Sequence, residues 1–186
     1  MKPKPRVHDP RRLDVAAFAA DGGELQGHWP LAGFARLADD HPPEAPPVHG
    51  DVTWHVRGVQ QPQPGGAPRR WLEIDARLTV VRRCQRCLHP VSLPLHVGRR
   101  LRFVDDEAQA AELDLESDDD VLALERALDL HELIEDELLL AMPMVPRHDA
   151  CRPPRAQPSP SGDEAAADKP HPFAALADWR GKGRRH

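Results

Sequence analysis

The sequence has no tyrosine, four phenylalanines, four tryptophans and three cysteines. So few aromatics leave bases little to stack on, and any contact with nucleic acid should be mainly to phosphate. Three cysteines, an odd number with two in one tight pair, make no disulfide framework and suit a reducing compartment. Long apolar runs are also missing. "LLLAM", 138–142, is the longest near the candidate core, far short of the roughly 20 residues that cross a bilayer. After the basic "MKPKPR", the stretch "VAAFAA" is too short and too weakly apolar for a secretory segment, so the expected address is cytoplasmic, with no membrane partner. Catalytic signatures are lacking as well: no Gly-rich phosphate loop, no Gly-x-Ser-x-Gly elbow and no His-Glu-x-x-His. Ser92, Ser117, Ser159 and Ser161 stand without an evident base. The expectation is a protein that is not an enzyme and takes no small-molecule substrate.

A chain of 186 residues exceeds the roughly 100–150 that one ordinary core needs, and 21 prolines imply that part of it buries nothing. We expect one α+β domain over 1–151, a disordered Pro/Ala-rich linker over 152–170, and a C-terminal docking segment with a basic tail over 171–186. In that last segment Phe173, Leu176 and Trp179 form a short apolar patch.

Two stretches, 11–20 and 30–40, read as short helices that cap a sheet; in the second, Leu31, Phe34, Leu37 and Ala38 share a face. From Val48 the period becomes two. Val48, Val52, Trp54 and Val56 alternate with polar neighbours, and after a loop at 60–68 Leu72, Ile74, Ala76, Leu78 and Val80 do the same. A third strand places Val91, Leu93, Leu95, Val97, Leu101 and Phe103 opposite Arg100 and Arg102. Three strands with short links form an antiparallel β-meander with a one-sided core. "DDEAQAAELDLESDDD", 105–120, reads as a solvated acidic loop. "DLHELIEDELLLAMP", 129–143, reads as an amphipathic helix capped by Asp129, with Glu132 at capping-box spacing and a stripe of Leu130, Leu133, Ile134, Leu138 and Ala141. Glu132, Glu135 and Asp136 are expected on its wet face. The fold class is therefore α+β: an antiparallel meander sheet with flanking short helices and one amphipathic helix after an acidic loop.

"RRCQRCLHP", 82–90, falls at the tip of a hairpin in this scheme, and "RHDAC", 147–151, supplies a second pair at the same spacing. Cys84, Cys87, His148 and Cys151 would make a tetrahedral zinc site if the pairs meet, with His89 and His96 as nearby substitutes. Two other readings stand beside a structural zinc: an unmetallated hairpin turn, and a thiol-disulfide oxidoreductase. The last suits the position poorly, because such enzymes place Cys-x-x-Cys at a helix amino terminus.

The net charge of −5 conceals an asymmetry. Cations crowd 69–102, where Arg82, Arg83, Arg86, Arg100 and Arg102 are candidates for RNA phosphate contact; carboxylates crowd 105–137. A solvated surface would account for either run equally well.

Taken in order, "CQRCLHPV", an acidic linker, "DLHELIEDELLLAMPMVPRHDAC", a proline-rich gap and "HPFAALADW" resemble the YceD family, the large ribosomal RNA subunit accumulation proteins of bacteria, from about Leu13 to Trp179. The resemblance implies a non-enzymatic ribosome-biogenesis factor for the synthesis, processing or stability of 23S rRNA. Its expected partner is large-subunit rRNA or a pre-ribosomal particle. The alternative is a chaperone-like binder that holds a basic ribosomal protein on the acidic face.

Overall fold

The structure, a computed structural model, describes residues 6–39, 41–45, 50–117 and 119–154. The chain divides into two units, Met1–Pro153, which holds every element below, and Pro154–His186. The linker and docking segment expected beyond residue 154 lie outside the described residues, as does Val48.

Alternation of apolar and polar residues produces the three central strands. These are β2 (Asp51–Gln61), β3 (Arg69–Arg83) and β4 (Pro90–Val104). They pair antiparallel, with Leu72 opposite Leu101, Ala76 opposite Val97 and Val80 opposite Leu93, so their apolar sides fall on one face. A strand that the helical reading overlooked, β1 (Glu24–Pro30), adds to β2 with Gly27 opposite Trp54. Gly27 is needed there, since a Cβ would lie 2.9 Å from the Trp54 ring. Pro30 ends this edge strand, where proline is tolerated, rather than opening a helix. Among the described residues, the stretch 31–39 holds a 3-10 turn (Leu31–Gly33) and the short α2 (Ala35–Asp39).

The first expected helix also shrinks, to α1 (Val15–Ala20), capped by Asp14, whose carboxylate accepts the Ala17 N–H at 2.9 Å. Leu13, just ahead of it, forms a bridge with Leu128 instead of a helical turn. α1 crosses the core face of β2 closely, and Gly58 permits it: a Cβ there would lie 2.7 Å from the Phe18 carbonyl oxygen.

The acidic stretch 105–120 is not a loop. After Asp106, whose carboxylate accepts the Gln109 N–H at 2.8 Å, it forms α3 (Glu107–Glu116), and Asp120 opens β5 (Asp120–Ala123), parallel to β4. The sheet order is β1-β2-β3-β4-β5. α3 fully buries only Ala110, against Val104 and Val121, with Leu113 and Ala123 packed partly buried beside them, so a small cluster holds a helix whose other side chains are in water.

The amphipathic helix is α4 (Leu130–Leu140), and Asp129 caps it through the His131 and Glu132 N–H groups. Leu130, Ile134 and Leu138 are fully buried with Phe18, Phe34 and Leu37 in the main core. The wet-face expectation fails for Glu135, which is 6% exposed and accepts the N–H groups of Arg36 (2.8 Å) and Leu37 (3.2 Å) together with the Arg36 guanidinium (3.1 Å). Asp136 joins that clasp through Arg36. Among the described residues no helix is long and apolar enough to cross a membrane.

Candidate metal centre and its arginines

β3 and β4 are joined by residues 84–89. The Cys84 N–H donates to the His89 carbonyl and the Leu88 N–H to the Cys84 carbonyl, each at 2.9 Å, which curls the link into a tight knuckle. Closing it puts Leu88 at a φ of 65°, a left-handed conformation that a leucine adopts only under local constraint. The Gln85 N–H reaches the Pro146 carbonyl at 2.8 Å, so the knuckle is tied to the segment that follows α4. That tie delivers the second pair.

The ligand atoms of Cys84, Cys87, His148 and Cys151 all lie within 4.8 Å of one another. Cys84 Sγ is 3.7 Å from Cys151 Sγ, and Cys87 Sγ is 3.4 Å from His148 Nδ1. A tetrahedral ion with metal–sulfur bonds of about 2.3 Å and a metal–nitrogen bond of about 2.0 Å has edges of about 3.8 and 3.6 Å, which these separations approach. A disulfide needs about 2.0 Å, and all three cysteines are free.

His148 Nε2 sits 3.0 Å from the Pro90 carbonyl oxygen. A carbonyl only accepts, so Nε2 carries the proton and Nδ1 turns its lone pair toward the sulfurs, the arrangement that orients a metal-binding imidazole. Burial pushes the Cys84 thiol up, but the backbone N–H groups of Cys87, Arg86 and His148 and the Cys87 side chain outweigh it and bring its pKa down to about 5. Cys151 is raised, by burial and then by the neighbouring Cys84 and Cys87. Three sulfurs and an imidazole nitrogen at this spacing match a Cys₃His donor set, which zinc takes, its charge being what would hold all three sulfurs as thiolates.

His89 and His96 are not in this cluster; His96 Nε2 is 2.8 Å from Asp75 on the face of the sheet turned away from α1 and α4. Glu132 is exposed, and no group within the described residues assembles it with Glu135 and Asp136 as a metal cluster.

The arginines expected to face RNA are differently placed. Arg82 is 2% exposed, and its guanidinium donates to the Leu37 carbonyl at 2.7 Å and the Val81 carbonyl at 3.0 Å, so it braces the core and does not present itself to a phosphate. Arg83 is exposed and paired with Glu44 at 3.0 Å. Arg86 lies between the two cysteines and donates to the Cys151 carbonyl at 3.5 Å. Arg100 covers the Trp71 ring at 4.2 Å from its centroid and approaches Glu73 at 3.6 Å. The Arg102 side chain has no hydrogen-bond or ion-pair partner among the described residues.

Sequence reasoning missed Arg147 and Arg152. They flank the second ligand pair in "RHDACR" as Arg83 and Arg86 flank or divide the first, and both are exposed. The signal was that repeated framing. Convergence of the ligands brings four arginine positions, each within a residue or two of a ligand along the chain, to one half-buried cluster.

The knuckle, α4 and the second ligand pair all fall inside the segment 72–179, more than half of the chain, that matches the sequence model of the family described as "Large ribosomal RNA subunit accumulation protein YceD". The match starts within β3, so α1, β1, α2 and β2 complete the fold from outside it, against the wider resemblance expected from Leu13. No solved structure matches the chain. The family is in general not a catalytic one, and its membership implies a role in large-subunit rRNA accumulation. With that match over β3, β4, α3, β5 and α4, the chain belongs to the YceD family.

Proposed function

We propose that this protein is a cytoplasmic, non-enzymatic ribosome-assembly factor whose hairpin tip, clamped by a structural zinc ion, contacts the phosphates of large-subunit rRNA. The observation that carries the reading is the convergence of Cys84, Cys87, His148 and Cys151, because it draws Arg86, Arg147 and Arg152 to the same end of the hairpin. When bound, zinc supplies rigidity: it joins two segments that share little apolar packing. Three thiolates and a neutral imidazole leave the zinc site with a formal charge of −1, which the surrounding guanidiniums exceed. Arg147 and Arg152 are exposed and Arg86 is half-buried beside the Cys151 carbonyl, so the first two are the more open to phosphate.

Binding of a 23S rRNA transcript, followed by fluorescence anisotropy across a salt series, tests this. Replacing Arg86, Arg147 and Arg152 with glutamine should weaken binding at least about tenfold and lower the slope of log affinity against log salt by about 0.7–0.9 for each phosphate that the protein ceases to neutralise. Superimposable curves for variant and wild type would sink the reading.

A second reading is favoured by α3, which turns Glu107, Glu112, Asp114 and Glu116 to solvent. Such a face suits a basic ribosomal protein held before delivery. Neutralising those four residues should release the ribosomal protein from a pull-down; full retention counts against it. The oxidoreductase reading loses ground because Cys84 and Cys87 are buried within a link between strands and do not open a helix.

A further inference from the structure

At the end of the hairpin remote from the tip, β3 begins and β4 runs out into α3. Arg70 stands opposite Phe103, and Trp71 opposite Arg102. The 62–68 connection and the first turn of α3 fold over this end and leave a pocket of about 180 Å³ whose polar lining is Gln63, Arg69, Arg70, Arg102, Asp105 and Gln109.

That lining is rich in donors and nearly empty of free acceptors. The single carboxylate, Asp105, is engaged by Arg70. Gln63 uses its carbonyl oxygen on Arg69 Nε at 3.4 Å, and Gln109 uses its own on the Asp105 N–H at 3.4 Å, so each amide has its NH₂ left to give. Arg102 has its whole guanidinium to give, having no side-chain partner among the described residues. With Arg70 spent on Asp105, Arg69 and Arg102 remain, and with two spare amides they fit an oxyanion that accepts from several directions at once. The volume decides its size. Pockets for whole small molecules run to about 300–1,000 Å³, so this one suits a single tetrahedral group.

We infer that the pocket bounded by Arg69, Arg70 and Arg102 binds one phosphate group, presented by the RNA backbone. The inference extends the proposed RNA contact to a second point but rests on a separate set of residues. From Arg70 to Arg83 the strand runs at about 3.3 Å per residue, so the two points lie roughly 40 Å apart along one continuous hairpin. RNA held at both must span that distance, which makes the protein a bridge between separated phosphates.

The test uses the full chain. Arg102→Gln, the double variant Arg69→Gln/Arg102→Gln, the tip variant described above and the charge-preserving Arg102→Lys are titrated against the same 23S rRNA transcript over a salt series, with thermal melts to confirm folding. Arg102→Gln should weaken binding about three- to tenfold and reduce the salt slope by about 1, with Arg102→Lys retaining most of the slope. In parallel, inorganic phosphate is titrated into ¹⁵N-labelled protein while the Arg Nε–H resonances are followed, and shifts in wild type that disappear in Arg102→Gln are expected. If the pocket variants bind RNA as wild type does while the tip variant is weakened, the pocket inference falls and the tip reading survives. Weakening by the pocket variants alone supports the pocket and removes the tip. A response to inorganic phosphate with no change in RNA binding overturns the RNA assignment, and no response to either probe overturns the site altogether.

Discussion

The hairpin tip and the α3–β5 edge are both poor in apolar residues, yet they are held in place by opposite means. The tip has a small buried set of Cys84, Cys87 and Val91, and takes its partner segment from 61 residues further on through side chains that can share one ion. The α3–β5 edge has its own small set, Val104, Ala110 and Val121, with no such cross-connection, and is held by four residues of parallel pairing to β4. Scarcity of apolar surface therefore does not make a segment a loop. It makes the segment depend on whatever else is present: donor atoms in one case, an open strand edge in the other.

Removing the donors should have the largest effect. Purified under reducing conditions, the wild type should carry about one zinc per chain and Cys84→Ser almost none, by elemental analysis; the loss of several kcal/mol should lower the melting midpoint by about 10 °C, at roughly 2–4 °C per kcal/mol. Hydrogen exchange should rise at 84–90 and 142–151 and stay unchanged at 107–123. Equal loosening of both regions would break the comparison.

Next comes the carboxylate that is not in water. Glu135→Ala orphans the N–H groups of Arg36 and Leu37 and should cost about 2–4 kcal/mol in urea unfolding, although it lies on a helix as acidic as α3. A cost below about 0.5 kcal/mol would mean that the α2–α4 clasp contributes nothing. A smaller change, and a gain, is expected at the knuckle: Leu88→Gly relieves the left-handed φ and should stabilise the protein by about 0.5–1 kcal/mol in the same assay. Destabilisation there would show that the half-exposed leucine side chain matters more than its backbone. Smallest of all should be Glu112→Gln on the exposed face of α3, within about 0.5 kcal/mol of wild type.

The period-two strands were legible because one face of each is buried along nearly its whole length. β1 was hidden by Gly27 and Pro30, which break a strand pattern in sequence and are needed in the structure for Trp54 to fit and for the edge to end. α3 and β5 were hidden because each buries a single residue of its own in the small cluster, too few to produce a period. At the candidate site the four ligands were legible as two pairs, but their meeting goes with contacts such as the Gln85–Pro146 and His148–Pro90 hydrogen bonds, which no spacing rule encodes. Arg82 was misplaced although the information existed: it continues the inward series Leu72, Ile74, Ala76, Leu78, Val80, and that parity outweighs its charge. Arg99 obeys the same parity on β4, where Glu137 on α4 meets it at 3.0 Å.

The separation of the two ligand pairs also has a consequence in time. At about 5–20 residues per second, a translating ribosome delivers His148 and Cys151 several seconds after Cys84 and Cys87. During that interval the β3–β4 hairpin can pair, but its knuckle has only two of four donors and no segment to lock against. Closure of the proposed zinc site would thus come last in the synthesis of the fold, and a shortage of the ion would be registered late, in chains whose sheet has already formed.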